Sequence, residues 1–163
     1  MEETTTLVLN DSKTGVPYKI IIPCDCLGHC STLIIEKSQD KIQLQLNLNK
    51  EMLVITKKDE KKLKDLNNRL ILRFENIIDL ILLFSTAPAR IPFTLNINKI
   101  IVSCEYIEDK LYAINFSKLT KLNKEKFLYG MIITESMLSE TLEALLKISE
   151  DILDIPEGAY YED

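Results

Sequence analysis

The sequence predicts an α+β protein: two antiparallel meander-plus-helix units, related by a degenerate internal repeat and packed as one compact protein. Three observations predict this class. Apolar and polar residues alternate in two separate stretches, which indicates strands. Each stretch leads into a region whose apolar residues lie three and four positions apart, as in an amphipathic helix. Two short segments of the first stretch also recur in the second.

The composition is that of a folded globular chain. It has 163 residues, of which 46% are hydrophobic and 28% charged, and only 4 Gly and 5 Pro. A chain of this size can bury a sizeable core, which excludes disorder throughout. The net charge of -5 does not by itself indicate a nucleic-acid or membrane partner.

The first unit begins with strands. The clearest strand is 41–49, where Ile42, Leu44, Leu46 and Leu48 alternate with polar residues. Further strands are expected at 18–22, 32–36 and 52–55, separated by turns at 23–30 and 38–40. A helix is expected from about residue 57, running to about Ser85 or breaking near Asn67 and Asn68. The segment 86–92 ends it, because a proline disfavours helical backbone in the residue before it.

The second unit repeats this order. Strands are expected at 93–97, 100–106, 110–116 and 129–133, with a longer loop over 118–126. A helix follows from Glu135 to about Leu153, and Pro156 stops it. Its apolar stripe needs a surface to cover, and a sheet supplies one.

Two matches support the internal repeat. Residues 36–42 match 105–111 at a spacing of 69, sharing the Glu, Asp-Lys and aliphatic positions. Residues 54–56 match 132–134 at a spacing of 78. The predicted boundaries are therefore 1–85 for the first unit, 86–155 for the second, and 156–163 for an acidic tail. Chance recurrence of common turn and helix-entry residues is the alternative.

A strand meander that enters an amphipathic helix through Ile-Thr occurs twice, at Leu53 to Lys57 and at Met131 to Glu135. This arrangement resembles the Whirly and positive-cofactor-four type of single-stranded DNA-binding fold. The resemblance implies curved sheets with basic and aromatic side chains on an exposed face, association through helices, and no enzymatic activity. The chain departs from such proteins in its overall charge and in having no Trp.

The charge is unevenly distributed. Residues 1–134 hold 19 Lys and Arg against 16 Asp and Glu, whereas residues 135–163 hold nine acidic residues and only Lys147. The sequence therefore suggests a nucleic-acid site on the body of the protein. The candidate residues are lysines of the first helix and of the long loop, with two aromatic residues for base stacking: Lys57, Lys58, Lys61, Lys62, Lys118, Lys121, Lys124, Lys126, Tyr112 and Phe116. The alternative is that these lysines form solvated faces.

Four cysteines are the candidate metal ligands: Cys24, Cys26, Cys30 and Cys104. Three thiolates with Cys104 or His29 can complete a tetrahedral zinc site. The spacing is not that of a structural zinc site, so reduced thiols in a tight turn are the alternative. No other cofactor is expected.

The expected compartment is the cytoplasm, because the N-terminus lacks the features of a signal peptide. No membrane span is expected, since the most apolar stretch, 77–84, has eight residues where a span needs about 20.

No phosphate-binding loop, nucleophile motif or histidine-rich motif is present, so an enzyme is not predicted. The leading hypothesis is a non-catalytic single-stranded nucleic-acid-binding protein. The alternative is a protein-interaction module, an adaptor or inhibitor acting through the 77–84 helix surface or the acidic tail; both allow a homodimer.

Overall fold

The computed structural model describes residues 6–23, 31–48 and 57–153. The strands are β1 (Leu7–Asn10), β2 (Pro17–Pro23), β3 (Ser31–Ser38), β4 (Lys41–Leu48), β5 (Ile71–Arg73), β6 (Thr94–Ile97), β7 (Ile100–Tyr106), β8 (Leu111–Leu119) and β9 (Glu125–Thr134). The helices are α1 (Lys57–Arg69), α2 (Ile77–Thr86) and α3 (Glu135–Leu153), and a single 3-10 turn (Phe74–Asn76) precedes α2.

The strands form two antiparallel sheets. The first sheet has the order β1-β2-β3-β4-β5 and the second the order β6-β7-β8-β9, so neighbours in sequence are also neighbours in space. This confirms the predicted α+β class with two similar units. Most predicted strands are present within a residue or two of their expected bounds; the strand expected at 52–55 lies outside the described residues.

The region after residue 57 is not one long helix. Helix α1 ends at Arg69, close to the break expected near Asn67 and Asn68, and the short strand β5 follows. Strand β5 pairs with β4, where Leu72 lies opposite Ile42. The spacing of three and four between apolar residues continues from α1 through β5 into α2, because each of these elements buries leucine or isoleucine side chains in the same core. Spacing alone therefore did not reveal the strand.

Asn67 fixes α1 to the first sheet. Its side-chain oxygen accepts the Leu46 amide N–H at 2.9 Å, and its amide nitrogen donates to the Leu46 carbonyl at 3.0 Å. The side chain therefore satisfies both backbone groups of Leu46 as a neighbouring strand would. Beside it, the Leu44 N–H donates to the Leu70 carbonyl at 2.9 Å. The position of α1 along β4 is set by these bonds.

We expect Asn67→Ala to lower the free energy of unfolding by about 1 to 3 kcal/mol, because it leaves a donor and an acceptor of Leu46 unpaired. Urea denaturation followed by circular dichroism measures the change. Asn68→Ala, one residue further along and exposed, is the matched control and should cost less than about 0.5 kcal/mol. Equal losses in the two variants would show that Asn67 has no special role.

The β3–β4 and β7–β8 hairpins correspond to each other. They contain the segments 36–42 and 105–111, and β3 and β7 begin 69 residues apart, at Ser31 and Ile100. The second sequence match cannot be compared, because residues 54–56 lie outside the described part of the chain. By sheet position, β5 followed by α2 in the first unit corresponds to β9 followed by α3 in the second. Helix α1 lies between β4 and β5, whereas in the second unit a hairpin turn joins the corresponding strands β8 and β9.

The helices of the two units cover each other's sheets. Helix α2 packs against β6 and β7 of the second sheet, and α3 packs against β2 of the first as well as against β8, β9 and α2. Buried side chains of both sheets and of the helices form one core. Each sheet therefore has an inner face, which contributes to this core, and an outer face. Within the described residues, none of the helices combines the length and the apolar character that crossing a bilayer requires.

The segment expected to be a long loop, 118–126, is instead the end of a hairpin. Strand β8 continues to Leu119 and β9 begins at Glu125, with Leu119 opposite Glu125. The turn is closed by bonds between Thr120 and Lys124, where the Thr120 N–H donates to the Lys124 carbonyl at 2.8 Å. The loop prediction was wrong because charged residues at an exposed hairpin end lack the apolar alternation of a half-buried strand.

Candidate functional site

A cleft of about 930 Å³ lies between α1 and the end of the β8–β9 hairpin. Helix α1 forms one wall, where Leu66 is buried. The other wall consists of the β6–β7 turn and the paired ends of β8 and β9. We call this space the basic cleft, after the six cationic side chains that line it: Lys62, Arg69, Lys99, Lys118, Lys121 and Lys126.

The charge of the basic cleft is strongly positive. Its lining includes only two acidic residues, Asp59 and Asp65. Asp65 pairs with Arg69, with 3.7 Å between the carboxylate oxygen and the guanidinium nitrogen. The five lysines form no ion pair within the described part of the chain. An anionic ligand in the cleft would therefore meet lysines that have no competing acidic partner there.

Helix periodicity decides which lysines of α1 reach the cleft. Lys62 lies on the same side of the helix as Arg69, seven positions on, and Lys58 lies one turn before it. Lys57 and Lys61 lie on another side, roughly a third of a turn around the axis. Of the helix lysines that the sequence suggested, only Lys62 lines the cleft, and Lys58 shares its side of the helix.

The β6–β7 turn closes one end of the cleft. Asn98 and Lys99 both have positive φ, 49° and 70°, as a two-residue hairpin turn of this hand requires. The Asn98 side-chain amide donates to the Arg69 carbonyl at 2.8 Å, which joins the turn to the end of α1. The Lys99 carbonyl accepts the Leu119 N–H at 2.9 Å. Lys99, which the sequence did not single out, is therefore held at the cleft by its backbone.

Two of the hairpin lysines oppose each other. Lys118 on β8 pairs directly with Lys126 on β9, so their side chains share one face of the sheet. Like charges placed directly opposite destabilise a sheet. Lys121 also lines the cleft, whereas Lys124 does not. An anion bound between Lys118 and Lys126 would reduce this repulsion, so the pair is the strongest electrostatic indication that the cleft is suited to an anion.

The two aromatic residues proposed from the sequence are not available to a ligand. Tyr112 is 3% exposed and Phe116 is 0% exposed, and both belong to the core on the inner face of β8. They cannot form a stacking surface because core side chains cover them. The aromatic residues at the cleft are instead Phe127, which is 62% exposed, and Tyr129. Burial, with a smaller contribution from the Asp59 charge, raises the pKa of Tyr129 above its ordinary value.

The metal prediction can be followed only at Cys104. Cys24, Cys26, Cys30 and His29 lie outside the described residues. Cys104 is buried on the inner face of β7, 7% exposed, and is a free thiol. Burial, assisted by the Glu105 charge, raises its pKa to about 12. Across residues 6–23, 31–48 and 57–153, no three His, Cys, Asp or Glu side chains are grouped as metal ligands.

We expect the native Cys104 thiol to resist alkylation. With a pKa of about 12 instead of 9.0, its thiolate fraction at pH 8 is about a thousandfold below that of an ordinary thiol. Labelling with N-ethylmaleimide, followed by mass spectrometry of the peptide that contains Cys104, should detect label only after denaturation. Rapid labelling of the native protein would contradict this burial.

The same shift makes folding sensitive to alkaline pH. The unfolded chain releases the Cys104 proton near pH 9, whereas the folded chain keeps it to about pH 12. The contribution of the Cys104 thiol to the free energy of unfolding is therefore complete below pH 9. It is lost as the pH rises from 9 to 12, by up to about 1.4 kcal/mol per pH unit.

The apolar helix surface of the alternative hypothesis lies largely in the core. Ile77, Leu80, Leu83 and Phe84 of α2 are each 0% exposed. Ile78 and Leu82 face outward, 42% and 38% exposed. The near-continuous apolar run is therefore explained mainly by the packing of α2 against α3 and the second sheet.

Comparisons with family models, with curated proteins and with solved structures found no match for this chain. Its function is therefore inferred from its own residues.

Proposed function

We propose that this protein binds single-stranded nucleic acid without catalysing a reaction, and that the basic cleft holds the sugar-phosphate backbone. One observation carries the proposal: lysines from distant parts of the sequence line one cleft. Lys62 of α1 and Lys118 of β8 are 56 positions apart in the sequence, yet both line it. If these lysines were only solvated surface residues, they would not be expected to gather at one cleft.

The local charge fits a polyanion. The chain as a whole is acidic, with a net charge of -5, but six cationic side chains line one cleft. A phosphate between Lys118 and Lys126 would relieve the repulsion of that opposed pair. Binding would release counterions from the nucleic acid, which makes the affinity strongly dependent on salt.

The exposed aromatic residue favours a single strand over a duplex. Phe127 lies at the cleft beside the lysines and is 62% exposed. A base of a single strand can stack on an aromatic ring, whereas the bases of a duplex are already stacked on each other. Lysines beside an exposed aromatic side chain are the combination that single-stranded nucleic-acid-binding proteins use.

Titration of the purified protein with a labelled oligonucleotide of about 16 nucleotides, and with the duplex of the same sequence, tests the proposal. We expect the single strand to bind at least about 10-fold more tightly, and to be recovered uncleaved. Between about 50 and 200 mM salt, log K should fall with a slope of about -3, as expected for four or five neutralised phosphates. No binding of either oligonucleotide at 50 mM salt would contradict the proposal.

A second candidate is a protein-interaction surface on α2, favoured by the exposure of Ile78 and Leu82 one helical turn apart. We propose a second copy of this chain as its partner, which would give the homodimer that the sequence allows. Light scattering coupled to gel filtration tests it: Leu82→Glu should convert a dimer to a monomer. A monomeric wild-type protein would contradict it.

A further inference from the structure

Phe127 lies on the outer face of the second sheet because β9 contains a bulge. Tyr129 pairs with Phe116, but Phe127 pairs with Ser117, so Leu128 is an extra residue without a partner. Residues directly opposite each other share a face. Tyr129 therefore lies on the inner face with Phe116, and Phe127 lies on the outer face with Ser117.

Gly130 leaves room for two side chains to meet above β9. A β-carbon placed on Gly130 would lie 2.8 Å from the Asn115 side-chain oxygen and 3.1 Å from Phe127 Cζ. These two atoms are thus within about 6 Å of each other, over a position that has no side chain of its own. Phe127 and Asn115 together form what we call the ring-amide platform.

The ring-amide platform carries the two groups that recognise a nucleobase. The Phe127 ring is mostly exposed, and base stacking on an exposed ring is favourable for every base. The Asn115 amide has both donor and acceptor groups, which match the edge of a base. Among the described residues, no hydrogen bond to this amide is present, so it can pair with a ligand without losing a protein partner.

Charge distinguishes this platform from the basic cleft. Along the outer face of β6 to β9, the described strand residues include no Lys or Arg. Six cationic side chains line the basic cleft, which Phe127 also borders. An uncharged base is therefore suited to the outer face and a phosphate to the cleft. The two sites share Phe127, near the start of β9.

We propose that a base of the bound strand stacks on Phe127 and pairs with the Asn115 amide, while the adjoining phosphates occupy the basic cleft. This inference rests on the proposed function and adds to it a position for the base. The bulge matters for both sites. If Leu128 paired with Ser117 in regular alternation, Phe127 would lie opposite Lys118 on the inner face and Lys126 would lie opposite Leu119 on the outer face.

Two oligonucleotides of equal length and charge test the platform: one of mixed sequence, and one in which abasic residues replace the nucleotides. Wild-type protein should bind the base-bearing strand at least about 10-fold more tightly. Phe127→Leu keeps apolar cover over Gly130 but loses the ring, and should bring the affinity for the base-bearing strand close to that for the abasic strand, which removes most of this preference. Asn115→Ala should reduce the preference, and Phe127→Trp should retain it.

Each alternative result has a separate meaning. If wild-type protein binds both strands equally in a salt-dependent manner, the platform is wrong and the cleft proposal stands. If the preference for bases persists in Phe127→Leu, bases are contacted elsewhere and the platform is also wrong. If neither strand binds at low salt, the proposed function itself fails.

Discussion

Replacing Lys62, Lys118, Lys121 and Lys126 together with Glu is expected to lower the affinity for single-stranded DNA by at least about 100-fold at 50 mM salt. These four lysines come from both walls of the basic cleft. Their reversal turns attraction for phosphates into repulsion at close range. Fluorescence anisotropy with a labelled oligonucleotide measures the loss.

The chain offers a control with the same change in net charge. Lys57, Lys61 and Lys64 lie on α1 but on another side of the helix, and Lys124 lies on the hairpin turn outside the cleft lining. Reversing these four should weaken binding less than about 10-fold, through long-range electrostatics alone. Seven of the eight side chains are exposed and Lys118 is half-buried, so circular dichroism should show both variants folded. Equal losses in the two variants would show that binding follows overall charge and that the cleft is not the site.

Phe84→Ala is expected to have the largest effect on stability, lowering the free energy of unfolding by about 3 to 5 kcal/mol. Phe84 is 0% exposed and belongs to α2, the helix that packs against α3 and against β6 and β7. Its removal leaves a cavity where the two units meet. Urea denaturation measures the loss, which is a large part of the total stability of an ordinary domain.

Ile78→Ala is the matched control on the same helix. Ile78 is 42% exposed and lies on the outward side of α2. With both variants made in the Leu82→Glu background, which removes the proposed contact between copies, the truncation of Ile78 should cost less than about 1 kcal/mol. Similar losses from the two variants would contradict the burial of α2 between the units.

Strand alternation was the most informative part of the sequence. On β4 and β7, buried and exposed residues follow the apolar pattern closely, because one face of each strand enters the core. Strands β1 and β5 were not predicted: they have four and three residues, too few for alternation to be recognised.

The sequence singled out several lysines that line the basic cleft but neither of the aromatic residues that line it. Clusters of charge are visible directly in the sequence, and both clusters contribute to the cleft. The prediction put Tyr112 and Phe116 on an exposed face of the sheet. Ile114 lies between them on the same face of β8, and all three are buried. Phe127 was missed because the bulge at Leu128 interrupts the period of two, and no local pattern indicates a bulge.

The connection between the two units is short, since α2 ends at Thr86 and β6 begins at Thr94. Because α2 and α3 each cover the other unit's sheet, a single proteolytic cut within 87–93 would leave two complementary pieces held by non-covalent contacts alone. Their association would then depend on protein concentration, as it does for separate subunits. The intact backbone keeps the pieces at an effective concentration in the millimolar range. The fold of the intact chain therefore does not depend on protein concentration.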